Sequence, residues 1–195
     1  MDLDTRFFYA INHFTRDTPW LRPIVLGYAN YGVVLFAGLM LAAWWIARRE
    51  ANPARMTAAL WTPLGVLAAL AINQPVAAAV GKTRPCNALH DIVVLHCNTD
   101  PGFPSDHAVM AGAATAGLWL VHRNLGALAA LAAVVMGFAR VYVGAHYPLD
   151  VLAGYALGAA VGIAGYALTR PLLCWLLTVI ARTPLRTLIA PANTS

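Results

Sequence analysis

Two stretches of this chain, 24–47 and 56–80, contain no Asp, Glu, Lys or Arg. A helix rises about 1.5 Å per residue, so about 20 apolar residues cross the roughly 30 Å hydrocarbon layer of a bilayer. Lipid offers the backbone no hydrogen bonds, and a helix satisfies its own. The chain is therefore expected to be an all-α integral membrane bundle. Composition agrees: of 195 residues, 60% are hydrophobic and only 11% charged, whereas a soluble domain carries about 25% charged residues. The net charge of +5 comes from basic residues scattered singly between apolar runs, with no basic stripe. The bilayer, not nucleic acid, is the expected partner.

Further spans are predicted over 105–121, 125–143 and 149–169, giving five. The run 171–181 is only 11 residues long, too short to cross, and reads as an interfacial or partly buried helix; a sixth span reaching residue 190 is the alternative. Residues 2–20 mix Leu3, Phe7, Phe8, Ile11 and Phe14 with Asp2, Asp4, Arg6, Arg16 and Asp17. That spacing predicts an amphipathic helix lying at the interface. The opening residues lack the basic segment of a cleavable signal. The domain reading is a single unit, 1–195, with the interfacial helix at 2–20 and a motif-bearing core at 70–165. Arg48, Arg49, Arg55, Arg123, Arg170, Arg182 and Arg186 fall on one side, expected to be cytoplasmic. The 81–104 loop and the 144–148 turn then share the outer side.

Three patches place ionisable residues at those outer ends: Lys82-Thr83-Arg84-Pro85, Phe103-Pro104-Ser105-Asp106-His107, and Arg140 through His146 to Asp150. A transferring phosphoryl group spreads negative charge over its equatorial oxygens and needs cationic donors around it. Lys82, Arg84 and Arg140 can supply them, and arginine forks match phosphate geometry. Ser105 opens a span, where hydroxyl and backbone N–H groups can face an anion. His146 and His107 suit the roles of nucleophile and acid. Asp150, four residues after His146, can accept the other imidazole N–H and fix its tautomer.

These patches resemble the signature of the type 2 phosphatidic acid phosphatase superfamily, which also includes vanadium haloperoxidases. The resemblance rests on Arg84-Pro85, on Pro104-Ser105-Asp106-His107, and on Arg140, five residues, His146, three residues, Asp150. Three positions depart from the family pattern: Ala77 stands where the first lysine belongs, Ala139 where a serine belongs, and Asp106 where a glycine belongs. Lys82 is the expected substitute for the missing lysine. The Phe-Pro-Ser-Asp-His form is similar to the bacterial undecaprenyl diphosphate phosphatase branch linked to bacitracin resistance.

The resemblance implies a membrane phosphatase acting on an isoprenoid lipid diphosphate at the outer face of a bacterial plasma membrane. It implies His146 as nucleophile forming a phosphohistidine, His107 as acid and then base, Asp150 orienting His146, and Lys82, Arg84, Ser105 and Arg140 on the phosphate, with no metal or cofactor. Glycerol-based lipids such as phosphatidate or phosphatidylglycerol phosphate are the alternative substrates, and a non-catalytic lipid-phosphate binding or transport protein is the rival from another class.

The remaining polar residues carry less. His90, Asp91, His96 and Cys97 match no zinc spacing and read as a solvated loop. A disulfide between Cys86 and Cys97 would pin the substrate mouth, and spacing neither demands nor forbids it. Asp106 either caps the third span or tunes His107.

Overall fold

The computed structural model of the chain describes residues 2–190, and every regular element among them is helical. The helices are α1 (Leu3–Asp17), α2 (Arg22–Tyr31), α3 (Val33–Arg49), α4 (Pro53–Val80), α5 (Pro85–Ala88), α6 (Asp106–Val121), α7 (Arg123–Tyr142) and α8 (Pro148–Ile180). Short 3-10 turns occupy Pro19–Leu21 and Pro184–Leu188. α4, α7 and α8 are each long and apolar enough to cross a membrane, and α2 with α3 makes a fourth candidate if the bent pair is one span.

That bend, 50°, falls within the apolar run 24–47 expected to be one span. It falls at Gly32, where a Cβ would sit 2.7 Å from Cε of Met136 on α7. A correction applies at the other end of the chain. Segments 149–169 and 171–181, expected as separate elements, form one helix of 33 residues with Pro171 inside it. Helices in lipid tolerate an internal proline when packing holds them. Here Leu173 and Leu177 beyond it are buried, and Leu177 joins the main core cluster with Met56 of α4. Pro63 and Pro75 likewise lie inside an unbroken α4.

α6 sits at the centre, packed on α4, α7 and α8. It has only 16 residues, yet most of them are buried. Small residues let its backbone meet that of α8: a Cβ on Gly158 would lie 2.0 Å from the Val109 carbonyl oxygen, and one on Gly112 would lie 2.6 Å from that of Tyr155. This is the close-approach packing that replaces hydrophobic segregation in apolar surroundings. The antiparallel order brings the end of α4, the start of α6, the end of α7 and the start of α8 to one end of the bundle. The arginine-bearing ends of α3 and α8, and the starts of α4 and α7, lie at the other.

α1 packs against α7 and α8. Asp2 caps it, accepting from Thr5 N at 2.7 Å, which satisfies one of the free amides of a helix start. Its inner face buries Phe8, Asn12 and Thr15, while Leu3, Phe7 and Phe14 are exposed. α1 thus has one face against the bundle and one face exposed. Between α4 and α6 runs the polar loop 81–104. Asn12 exchanges two hydrogen bonds with the backbone of Val93, at 2.7 and 2.9 Å. Leu95 N and His96 N both donate to the Val143 carbonyl, at 2.9 and 3.2 Å. Cys86 and Cys97 are joined in a disulfide.

Candidate active site

α7 ends at Tyr142, and the chain reverses through Gly144 to start α8 at Pro148. Gly144 has φ +84°, and a Cβ there would lie 3.1 Å from the Val93 carbonyl oxygen. Only glycine takes that conformation cheaply at such close quarters. The turn brings His146 back beneath the end of α7, so that Ala145 N and His146 N both reach the Arg140 carbonyl, at 3.2 and 3.3 Å.

Four side chains are almost wholly removed from solvent here: Arg84 (4% exposed), Arg140 (1%), His146 (1%) and Asp150 (0%). Nδ1 of His146 lies 2.8 Å from the Gly102 carbonyl oxygen. A carbonyl can only accept, so Nδ1 carries the proton and Nε2 presents the lone pair. Nη1 of Arg84 lies 2.7 Å from that Nε2 and donates to it. Burial, then the charges of Arg140 and Arg84, hold the His146 pKa well below the usual histidine range. The imidazole is neutral at neutral pH, the form in which it can attack.

Asp150 was expected to accept the His146 N–H. Its Oδ2 is 3.9 Å from Nδ1, within ion-pair reach but beyond a hydrogen bond. The carboxylate is already engaged. Oδ2 accepts from Tyr147 N at 2.8 Å, closing the first turn of α8, and Oδ1 accepts from Nζ of Lys82 at 2.7 Å. Lys82 in turn pairs with Asp4 of α1 at 3.0 Å. Its partial burial opposes charge, but bonds to Asp150 and Asp4 outweigh this and raise its pKa above the usual lysine range.

Arg84 is held from the loop side. Its Nε donates to the Asp100 carbonyl at 3.0 Å, and its Nη2 bonds the Asp100 carboxylate at 2.6 Å. Arg140 is different: its Nε and Nη1 are buried without any hydrogen-bond partner, and so is Oγ of Ser105. Buried donors are almost always satisfied, so the two free guanidinium nitrogens of Arg140 stand out. His107 lies in the first turn of α6, at the same end of the bundle.

Asp106 does not cap α6; Ser105 holds the cap position, without a side-chain bond. Asp106 Oδ1 instead accepts from Nδ2 of Asn73 at 2.7 Å and from Nε2 of Gln74 at 3.3 Å, tying α6 to α4. Cys97, engaged with Cys86, is not available to a metal with His90, Asp91 and His96. Four participants had no signal in the sequence: Asp4, Asp100, the Gly102 carbonyl and His96. His96 lies near both arginines, and burial together with the charges of Arg140 and Arg84 lowers its pKa.

The model of the PAP2 superfamily matches residues 58–174, a stretch that includes all three patches. The undecaprenyl-diphosphatase BcrC of Bacillus subtilis (strain 168) is 26% identical over 160 residues, covering 82% of this chain and 81% of that protein. Among solved structures, Aquifex aeolicus LpxE matches with a TM-score of 0.59 at 28% identity, over 86% of this chain and 96% of that one. The transmembrane PAP2-type phosphatidylglycerolphosphate phosphatase of Bacillus subtilis matches with a TM-score of 0.62 over 88% of each chain; at 19% identity it speaks for the fold alone. A match over more than half of the chain and a shared helical fold lead to one assignment: the chain belongs to the PAP2 superfamily.

Proposed function

We propose that this membrane lipid phosphatase hydrolyses undecaprenyl diphosphate, or a closely related isoprenoid diphosphate, to the monophosphate and inorganic phosphate. The observation that carries a phosphate-directed reading is the buried guanidinium of Arg140, with Nε and Nη1 unpartnered and its charge acting on the neutral His146. The choice of lipid rests on the likeness to BcrC over about four-fifths of both chains and on the Asp106 variant of the second motif.

In this reading the terminal phosphate takes the place of the missing partners of Arg140 and Ser105. Arg84 lets go of Nε2 and turns its guanidinium to the phosphate, uncovering the lone pair. Nε2 of His146 attacks the terminal phosphorus, and the bond to the bridging oxygen breaks. His107 gives its proton to that oxygen, releasing the lipid monophosphate. His107 then takes a proton from water, which attacks the phosphohistidine and frees inorganic phosphate and the imidazole. The arginines face charge that grows in the transition state, where preorganised donors do most for the rate.

A membrane placement completes the proposal. The site faces the outer side, because the arginine-bearing ends lie opposite it. Five helical segments cross the bilayer, the bent pair α2–α3 counting as one, and α1 rests at the interface on Leu3, Phe7 and Phe14.

The test is phosphate release by the purified protein in lipid, with undecaprenyl diphosphate, phosphatidate and phosphatidylglycerol phosphate as parallel substrates. Release from the diphosphate should be fastest and should vanish in His146→Ala. An acid-labile, base-stable phosphoryl label on the wild-type chain would identify the phosphohistidine. Faster turnover of a glycerol-based lipid overturns the substrate, and turnover surviving in His146→Ala overturns the mechanism.

A further inference from the structure

α1 reaches the charged groups of the site through Asp4. Oδ1 of Asp4 accepts from Leu149 N at 2.9 Å, and its Oδ2 bonds Nζ of Lys82 at 3.0 Å. The same Nζ bonds Oδ1 of Asp150 at 2.7 Å. The other oxygen of Asp150 holds Tyr147 N and stands 3.9 Å from His146. A line of ion pairs therefore runs from α1 through Lys82 to Asp150, the carboxylate that stands behind the imidazole.

Resting on the phosphatase reading above, we propose that Asp4 is a positioning residue for the reaction. Acting through Lys82, it fixes the Asp150 carboxylate behind His146, which makes α1 part of the catalytic unit as well as a membrane-facing helix.

Three observations support this. First, Lys82 has its ammonium engaged by two carboxylates and lies over the Tyr147 ring, 4.5 Å from its centroid, and 5.8 Å from that of Phe103. Its flexible stem is thereby fixed from several directions; support of this kind is what keeps a reacting group in its productive geometry. Second, two carboxylates share one ammonium, so the trio carries a net negative charge behind an imidazole that becomes positive on phosphorylation. A lysine bound only to Asp150 would cancel that charge. Third, α1 does not depend on Asp4 for its attachment. Asn12 pairs with Val93, Thr15 Oγ1 donates to the Tyr142 carbonyl at 3.0 Å, and Phe8 packs on Tyr147. Removing the Asp4 carboxylate should leave the helix in place.

The experiment uses the full chain in lipid vesicles with undecaprenyl diphosphate, comparing wild type with Asp4→Asn, Asp4→Glu, Lys82→Met and the Asp4→Asn/Lys82→Met pair. Asp4→Asn is expected to lower kcat about tenfold with KM within about twofold, the pattern of a lost contribution to the transition state. Asp4→Glu should recover much of the rate. The double variant should be no worse than Lys82→Met alone, because both act along one line. A normal kcat in Asp4→Asn with only a lowered melting temperature overturns the proposal, since Asp4 would then merely cap α8. A raised KM and unchanged kcat in Lys82→Met also overturns it, since Lys82 would then be a direct phosphate ligand. Wild-type protein inactive on the lipid diphosphate would remove the phosphatase reading itself and this proposal with it.

Discussion

Nη1 of Arg84 donates to Nε2 of His146 across 2.7 Å, so the one ring nitrogen free of a backbone partner is covered by a guanidinium. The same arginine is anchored by Asp100 through both side chain and backbone. In the proposed mechanism it leaves the imidazole for the phosphate. Arg84→Ala should lower kcat/KM about a hundredfold, about 2.7 kcal/mol of transition-state stabilisation. Arg84→Lys should recover little, because an ammonium cannot keep the Asp100 fork and reach phosphate together. Steady-state kinetics of the two variants checks this, and full activity in Arg84→Lys would remove the forked contact from the mechanism.

The buried His146 makes a prediction in pH. Burial and the two arginines depress its pKa well below the ordinary value of about 6.5. The acid limb of kcat/KM, which reports the free enzyme, should therefore fall clearly below that value. Stability follows with a fixed sign. Below about pH 6.5 the unfolded chain binds a proton at this position while the folded chain does not, so stability is full above that pH and declines as pH falls. The slope from one such group is at most about 1.4 kcal/mol per pH unit. His146→Asn should flatten the loss of melting temperature between pH 7 and 5.5, a readout that needs no activity.

The loop 81–104 carries Lys82, Arg84, His96, Asp100 and Gly102, and the Cys86–Cys97 disulfide closes part of it. Reduction, or Cys86→Ser with Cys97→Ser, releases an entropic restraint worth about 3 kcal/mol for a loop of this length. Because the loop lies outside the helical bundle, helix content by circular dichroism should hold while kcat/KM falls several-fold. Activity indifferent to reduction would mean that the Asn12–Val93 and Val143 contacts position the loop without it.

What was readable in advance follows from the range of the interactions. Uncharged runs fixed the membrane bundle because lipid leaves the backbone so few options. The Arg140, His146 and Asp150 spacing was readable because one turn and one helix start hold all three. The actual partner of His146 Nδ1, the Gly102 carbonyl, was not, since a backbone oxygen 44 residues away leaves no trace in side-chain identity. Asp4 was hidden for a similar reason: in an amphipathic helix an acidic first-turn residue looks like ordinary helix-end chemistry. The unbroken α8 was missed because Pro171 is a local breaker overruled by the packing of Leu173 and Leu177.

The α6–α8 contact provides the sharpest structural test. Ser105 and His107 are carried at the start of α6, and Asp150 at the start of α8, so their spacing depends on how closely the two helices approach. A Cβ on Gly158 would stand 2.0 Å from the Val109 carbonyl oxygen and 2.8 Å from Ala113 N. Both are backbone atoms inside a helix and cannot swing aside as a side chain would. Gly158→Ala must push the helices apart, at a cost of about 1–3 kcal/mol for overpacking. It should lower both melting temperature and kcat, although the residue lies two helical turns below Asp150 and touches no substrate. Gly27→Ala is the control, for nothing lies within 4 Å of its added Cβ. If Gly158→Ala kept wild-type activity and stability, the spacing of the two helices would not be what sets the distance between His107 and Asp150.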